Sequence, residues 1–386
     1  MGKRHQIKEL EEEAKEAKTK TKDSGKQEQI TEIEDEIRKT KYNKATQKHI
    51  GALKAKLAKL RQDAQKTSGG PQSLGYGIKK SGDATLVLVG YPSVGKSTIL
   101  NKLTDAKSKV AHYEFTTTEV VPGVMKMNGA SIQMLDVPGL IEGVSSGKGR
   151  GKEVLSVVRI ADLILFVLDN KEPEKRLKIM KKELYNSGFR LNQKKPNVKI
   201  EKKSVGGINV ESTVKLTKTA PDEIKAVAGS FGIYNADILI RDDITADEFI
   251  DALLGNRSYV PMIVLLNKTD MMREEEVEMF CLKNQAIPIS AEMGEHLEDL
   301  KNSIWENLGL IRIYLKRLGK EPDMKEPIIM KNNSMVSDVA KEIHKVFKDR
   351  FTFARIWGPS AKFPGQRIGP EHMLQDKDIV ELHSNK

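Results

Sequence analysis

TLVLVGYPSVGKSTILNKL, Thr85 to Leu103, is the stretch on which the fold turns. Thr85–Gly90 reads as a buried strand ending in glycine, and Ser97–Leu103 as the opening of a helix. Between them, Gly90–Ser97 has the spacing G-x-x-x-x-G-K-S, and its position between strand and helix gives that spacing a chemical meaning. The glycines let successive backbone N–H groups curl around a β-phosphate. Lys96 brings a charge to the β and γ oxygens, and the Ser97 hydroxyl faces Mg²⁺. Gly90, Tyr91, Pro92, Ser93, Val94, Gly95, Lys96, Ser97 and Thr98 form the expected phosphate-contacting run.

Further apolar runs at SIQMLDV (131–137), LILFVLD (163–169) and PMIVLLN (261–267) alternate with helical stretches. Buried strands separated by helices predict an α/β core with a mostly parallel sheet and helices on both faces. The same strands end on chemistry. Asp136 and Gly139, in DVPG, are placed to hold Mg²⁺ through water and to meet a γ-phosphate through an N–H group. FTTT (115–118) supplies hydroxyls to the loop that closes over the metal, with Thr117 the expected Mg²⁺ ligand and Thr116 second. The expected catalytic groups are Lys96, Thr117 and Gly139, and the expected metal ligands Ser97, Thr117 and Asp136.

NKTD, Asn267–Asp270, follows the run PMIVLL. A carboxylate at Asp270 can accept both N1–H and N2–H₂ of guanine, whereas adenine presents an acceptor at N1. Asn267 is expected to hold the loop and the base edge, and Lys268 to lie along the ring. Ser290 and Ala291, in ISA (289–291), come at the next strand end, where the Ala291 N–H can reach guanine O6.

The remaining chain reads as appendages. Residues 1–27 are a charged tail. Ile30, Ile33 and Ile37, then Ile50, Leu53, Leu57, Leu60 and Ala64, recur at helical spacing and predict a hairpin over 28–66. From Arg38 to Lys66 that hairpin has ten basic residues against one acid, Asp63, which fits either a solvated face or a grip on phosphates. A linker rich in Gly, Ser and Pro covers 67–84. The core then runs over 85–174 and 236–324, interrupted by a basic α+β unit at 175–235 whose segments NVKIEKK (197–203) and GINVESTVKL (207–216) alternate like a hairpin. Strand, helix and strands from 325 to 386, with Ser337 as helix N-cap, predict a small β-grasp module.

Composition narrows the partners. A net charge of +11 points to a polyanion, nucleic acid or an acidic surface. Cys281 is the only cysteine, which excludes an internal disulfide and a cysteine-based zinc site. The apolar runs fall short of the ~20 residues that span a bilayer. The start, MGKRHQIKELEEE, lacks the apolar core of a secretory signal. These features predict a cytoplasmic protein with no membrane partner.

Taken together, GYPSVGKST, YEFTTTEVVPG, DVPGLIEG and NKTD resemble the developmentally regulated GTP-binding proteins of the Obg group, over nearly the whole chain from about Ile30. The resemblance implies a helix-turn-helix-like hairpin, a P-loop GTPase core, an insert similar to the second domain of ribosomal protein S5, and a C-terminal TGS domain. It also implies GTP hydrolysis, association with ribosomes and translation, and, for eukaryotic members, a small zinc-finger protein partner. A ribosome-bound scaffold that uses GTP only to pin its shape is an alternative, as is an Obg-like ATPase, against which Asp270 argues.

Two departures bear on rate. After Gly139, where many GTPases place a water-orienting glutamine, the chain has Leu140. Ser93 occupies the phosphate-loop position where potassium-using GTPases have asparagine, so K⁺ stimulation is an open expectation. Lys148 and Arg150, on a glycine-broken run, are candidates for a charge supplied in cis, and a solvated or RNA-facing charge is the alternative.

Overall fold

The computed structural model describes residues 25, 28–43, 45–67, 82–104, 121–137, 151–343 and 351–384. They fall into two compact units, Met1–Leu74 with Gly188–Tyr259, and Gly75–Ser187 with Val260–Lys386.

The second unit is built on β1 (Ala84–Gly90), β2 (Val121–Met127), β3 (Ala130–Asp136), β4 (Leu163–Leu168), β10 (Met262–Leu266) and β11 (Ala286–Pro288), ordered β11-β10-β4-β1-β3-β2. All neighbours are parallel except β2, an antiparallel edge on β3. Every residue of β1, β4 and β10 is buried, as two covered faces require. The covering helices include α3 (Lys96–Leu103), α4 (Gly151–Val158), α5 (Pro173–Asn186), α8 (Glu274–Asn284) and α9 (Leu297–Leu308). Leu86, Leu100, Met134 and Ile304 share the central apolar cluster, and each such side chain stabilises by roughly 1.5–3 kcal/mol relative to exposure. Because the chain adds β3 on one side of β1 and β4 on the other, the end of β1 is a topological switch point, where open α/β sheets bind ligands.

Helix α5 belongs to this unit rather than to the insert. Pro173 fixes its first turn, and Leu177, Met180 and Leu184 are buried. The inserted segment therefore runs from Gly188 to Tyr259, and not over 175–235. The tail also begins earlier than 325, since β12 (Leu310–Leu315) lies between β13 (Ile328–Lys331) and β16 (Asp378–Ser384) in a sheet completed by β14 (Phe351–Trp357) and β15 (Gln366–Ile368). Helix α10 (Val336–Ile343) starts at Val336, so Ser337 is inside it. The Met335 N–H instead donates to Asp338 Oδ2 at 3.0 Å.

In the first unit, a helix over 28–39 (α1) and α2 (Gln47–Thr67) form the expected hairpin around Ile30, Ile33 and Leu57. Helix α2 also packs on α6 (Pro221–Ser230) and α7 (Ala246–Leu254) of the insert. Gly51 makes the approach close, because a Cβ there would lie 2.9 Å from Glu223 Cγ. The strands β6 (Val198–Lys202) and β7 (Ile208–Ser212) do not form a hairpin. Each pairs with β8 (Ala236–Ile240), β6 antiparallel and β7 parallel. The physical reason is that ADILI is the most apolar strand of the three and takes the buried centre, while β6 and β7 keep an exposed polar face. A two-stranded pair, β5 (Phe189–Leu191) with β9 (Ser258–Val260), closes the insert.

The basic face of the hairpin is partly spent on this packing. Lys54 pairs with Asp247 at 2.7 Å and Lys48 with Asp222 at 3.1 Å, both acids of the insert. Lys59 donates to the Ser230 carbonyl at 2.5 Å and lies 5.0 Å from the Phe231 ring centroid. Arg61 and Arg38 pair with Glu34 and Asp35 of α1. Among the described residues, five of these basic side chains thus meet internal partners, which reduces the excess left for phosphates.

Candidate nucleotide site

Because β1, β3, β4, β10 and β11 are parallel, their C-terminal ends share one edge of the sheet, and the residues singled out by sequence cluster there. β1 ends at Gly90, where a Cβ would lie 2.4 Å from the Val167 carbonyl, too close for any other residue. The loop then turns through left-handed conformations at Ser93 (φ 62°) and Gly95 (φ 96°) into α3. A Cβ on Gly95 would meet Asn267 Nδ2 at 2.2 Å. Among the described residues no side chain caps the N-terminal N–H groups of α3, which leaves a positive helix end at the loop.

Lys96 is the first residue of α3 and only 8% exposed. Its Nζ donates to the carbonyls of Gly90 and Tyr91, each at 3.1 Å. Burial pushes its pKa down, opposed by the Asp136 charge. For Asp136, at the end of β3, burial pushes the carboxyl up, against the Ser97 hydrogen bond and the Lys96 charge. Ser97 Oγ donates to Asp136 Oδ2 at 2.6 Å. A hydroxyl and a carboxylate oxygen meeting beside a buried ammonium are a donor set that fits Mg²⁺, a hard cation that takes oxygen ligands and phosphate together.

At the other end, Asn267 is 2% exposed and spans two loops. Its Nδ2 donates to the Val94 carbonyl at 2.8 Å, and its Oδ1 accepts the Ala291 N–H at 3.0 Å. The Ala291 amide, expected to face guanine O6, is thus engaged by Asn267. Lys268, at φ 64°, donates through Nζ to the Ser93 carbonyl at 2.7 Å, which ties the base loop to the phosphate loop. Asp270 Oδ1 accepts the Ser290 hydroxyl at 2.6 Å, and Ser290 Oγ also accepts the Met293 N–H at 3.3 Å, so the carboxylate is oriented from the ISA strand end. Tyr91, Pro92 and Thr98 lie on the loop and the first turn of α3. Gly139, Leu140, Thr116, Thr117, Lys148 and Arg150 lie outside the described residues.

Sequence reading missed one group. Asp169, directly after β4 and 3% exposed, pairs with Arg176 Nη1 at 2.7 Å, and that guanidinium lies 4.8 Å from the Tyr91 ring centroid. The pair buttresses the phosphate loop from α5. The only signal was an acid closing a buried strand. Among the described residues no helix is long and apolar enough to cross a membrane.

A glycine loop between β1 and α3, an acid closing β3 and an Asn-Lys-x-Asp loop closing β10 define a P-loop GTPase. Family models agree, matching a "50S ribosome-binding GTPase" over residues 85–203, the "C-terminal region of MMR_HSR1 domain" over 205–310 and a TGS domain over 311–384. The chain belongs to the developmentally regulated GTP-binding protein family. It is 46% identical to developmentally-regulated G-protein 3 of Arabidopsis thaliana and 42% identical to developmentally-regulated GTP-binding protein 2 of Homo sapiens, each over 89% of this chain and 95% of the relative. An uncharacterized GTP-binding protein of Methanocaldococcus jannaschii is 53% identical over 89% of both chains.

Proposed function

We propose that the chain is a GTP-controlled, cytoplasmic switch that associates with ribosomes and ends its bound state by slow hydrolysis of GTP to GDP. The observation that supports this best is the span of Asn267 from Val94 to Ala291, which couples the base-reading loops to the phosphate loop. The ribosome enters through the description of the matching family model and through the net charge of +11.

In this reading Lys96 exchanges its loop carbonyls for β and γ oxygens, and the Gly139 N–H meets the γ-phosphate. Ser97 and Asp136, with Thr117, hold Mg²⁺, which when bound neutralises phosphate charge. Asp270, steadied by Ser290, selects guanine. Leu140 can neither orient nor polarise water, so the intrinsic rate is on the order of 10⁻⁴ s⁻¹, and an arginine-finger equivalent is worth ~10³ to 10⁵ in rate. Candidates for that assistance are a potassium ion near Ser93, a basic side chain such as Lys148 or Arg150, a zinc-finger protein partner, or the ribosome itself.

The test is steady-state phosphate release from GTP in potassium or sodium, with and without ribosomes, beside sedimentation with ribosomes in each nucleotide state. Slow release in sodium, acceleration by one of the additions and GTP-dependent sedimentation are expected. Fast release in sodium alone would remove the role given to Leu140, and sedimentation indifferent to nucleotide would replace the switch by a scaffold.

A further inference from the structure

The phosphate loop is held from two sides. On the base side, Asn267 and Lys268 donate to the carbonyls of Val94 and Ser93 at 2.8 and 2.7 Å. On the β1 side, the carbonyls of Gly90 and Tyr91 hold the Lys96 ammonium, so the direction in which that charge points depends on where the Tyr91 peptide lies. Gly90 has no side chain and Pro92 no N–H, which leaves the Tyr91 side chain as the handle by which the fold sets that end of the loop. Tyr91 is partly buried and packs against the central apolar cluster. The Arg176 guanidinium lies 4.8 Å from its ring centroid, where the ring face attracts a cation.

A strained turn brings Arg176 to that place. β4 ends at Leu168 and α5 begins at Pro173, and between them Glu172 sits at φ 46°. Left-handed backbone is unfavourable for a residue with a Cβ, and a residue before proline is pushed towards extended conformations, so Glu172 is disfavoured on both counts. Asp169 holds the turn in spite of this. Its Oδ1 accepts the Lys171 N–H at 3.1 Å and Nη1 of Arg176 at 2.7 Å, which closes the turn and ties the start of α5 to the end of β4. Asp169 is only 3% exposed, so the guanidinium stands in for water as the partner of its carboxylate. Backbone strain persists where the surroundings over-determine it, and it concentrates at functional sites.

We propose that Asp169 and Arg176 are positioning residues for nucleotide binding, acting through Tyr91 to pre-set the carbonyls that aim Lys96 at the β-phosphate. The inference rests on the reading of the site as a GTP site, and it is independent of the ribosome and of the switch. A loop ordered before its ligand arrives does not have to be ordered on binding, and the difference appears as affinity. Lys96 meets the phosphates in the bound nucleotide as well as in the transition state, so losing the relay weakens binding and leaves the rate at saturation unchanged. GDP carries the same β-phosphate and is affected with GTP.

The test uses the full chain, with GTP and GDP affinities from equilibrium titration and hydrolysis followed in a single turnover at saturating GTP. Arg176→Met keeps a long side chain and removes the charge. It is expected to weaken both nucleotides about three- to fivefold, with the single-turnover rate within about twofold of wild type. Asp169→Asn, which keeps the shape of the acid and removes its charge, is expected to move both affinities the same way. Tyr91→Phe keeps the ring and is expected to bind within about twofold of wild type, whereas Tyr91→Leu loses the ring and is expected to match Arg176→Met. Because the arginine acts through the ring, Tyr91→Leu/Arg176→Met is expected to bind no more weakly than Tyr91→Leu alone. Additive losses in that cycle overturn the proposal. So does a purely structural outcome, in which Arg176→Met lowers the melting temperature and the fraction of binding sites while each remaining site keeps the wild-type Kd. A wild type that binds no GTP would count against the site reading itself, while a wild type that binds beside variants of equal affinity counts against the relay alone.

Discussion

Two buried clusters of opposite charge, one in each unit, are satisfied to different degrees. In the first unit Asp251 accepts from Nε and Nη2 of Arg190 and from Nε of Arg257, with Asp251 and Arg190 both at 4% exposure. Arg190 of β5 meets Asp251 of α7 through two nitrogens, and Arg257, just before β9, meets the same carboxylate. In the second unit, among the described residues, Lys96 has two carbonyls and no direct ion pair, and Asp136 has one hydroxyl. Burial displaces both of these groups from their ordinary pKa values. A saturated cluster holds a fold together, whereas an under-saturated one at a switch point is kept for a ligand.

Removing the saturated acid has the largest expected effect. Asp251→Ala removes the carboxylate shared by the buried Arg190 and the partly buried Arg257 and is expected to destabilise the hairpin-and-insert unit by about 3–5 kcal/mol. Hydrogen exchange of α6 and α7 is the readout, because both tryptophans, Trp305 and Trp357, lie in the other unit. Next comes Lys96→Ala, expected to weaken GTP binding ~100-fold or more while leaving that exchange unchanged, as measured by equilibrium titration. Asp270→Asn replaces an acceptor by an amide and is expected to cost ~10 to 100-fold in GTP affinity, with the preference over ATP falling in parallel.

The smallest effect concerns pH. The Asp136 carboxyl is raised above its ordinary 3.8, so its contribution to stability is present below that value and is lost as pH rises through the native pKa. Asp136→Asn is therefore expected to melt at or above the wild-type temperature at pH 7, with the difference closing as pH falls towards 4, while GTP hydrolysis is lost. A wild-type melting curve that gains stability from this residue with rising pH would contradict the assignment.

The site was legible before the fold because its demands are local. A phosphate needs a short run of backbone N–H groups and one lysine, and Gly90–Ser97 supplies them within eight residues. What escaped was long-range. The stripe Leu177, Met180, Leu184 shows that α5 is amphipathic but not which core it faces, and so the insert was expected to start too early. β6 and β7 alternate as well beside β8 as beside each other, since period-two patterning names a face and no partner. The lysines of α2 looked free because Asp222 and Asp247, their partners, lie more than 170 residues away in the chain. The stack of Asp169, Arg176 and Tyr91 escaped for a related reason, as an acid and an arginine near a strand end have many other uses.

The claim that the two clusters are separate in purpose is tested most directly by the GTP affinity of Asp251→Ala, measured by equilibrium titration under conditions where hydrogen exchange shows its first unit to be loosened. The account predicts a Kd within about twofold of wild type. A loss of GTP affinity comparable to that of Lys96→Ala would contradict it.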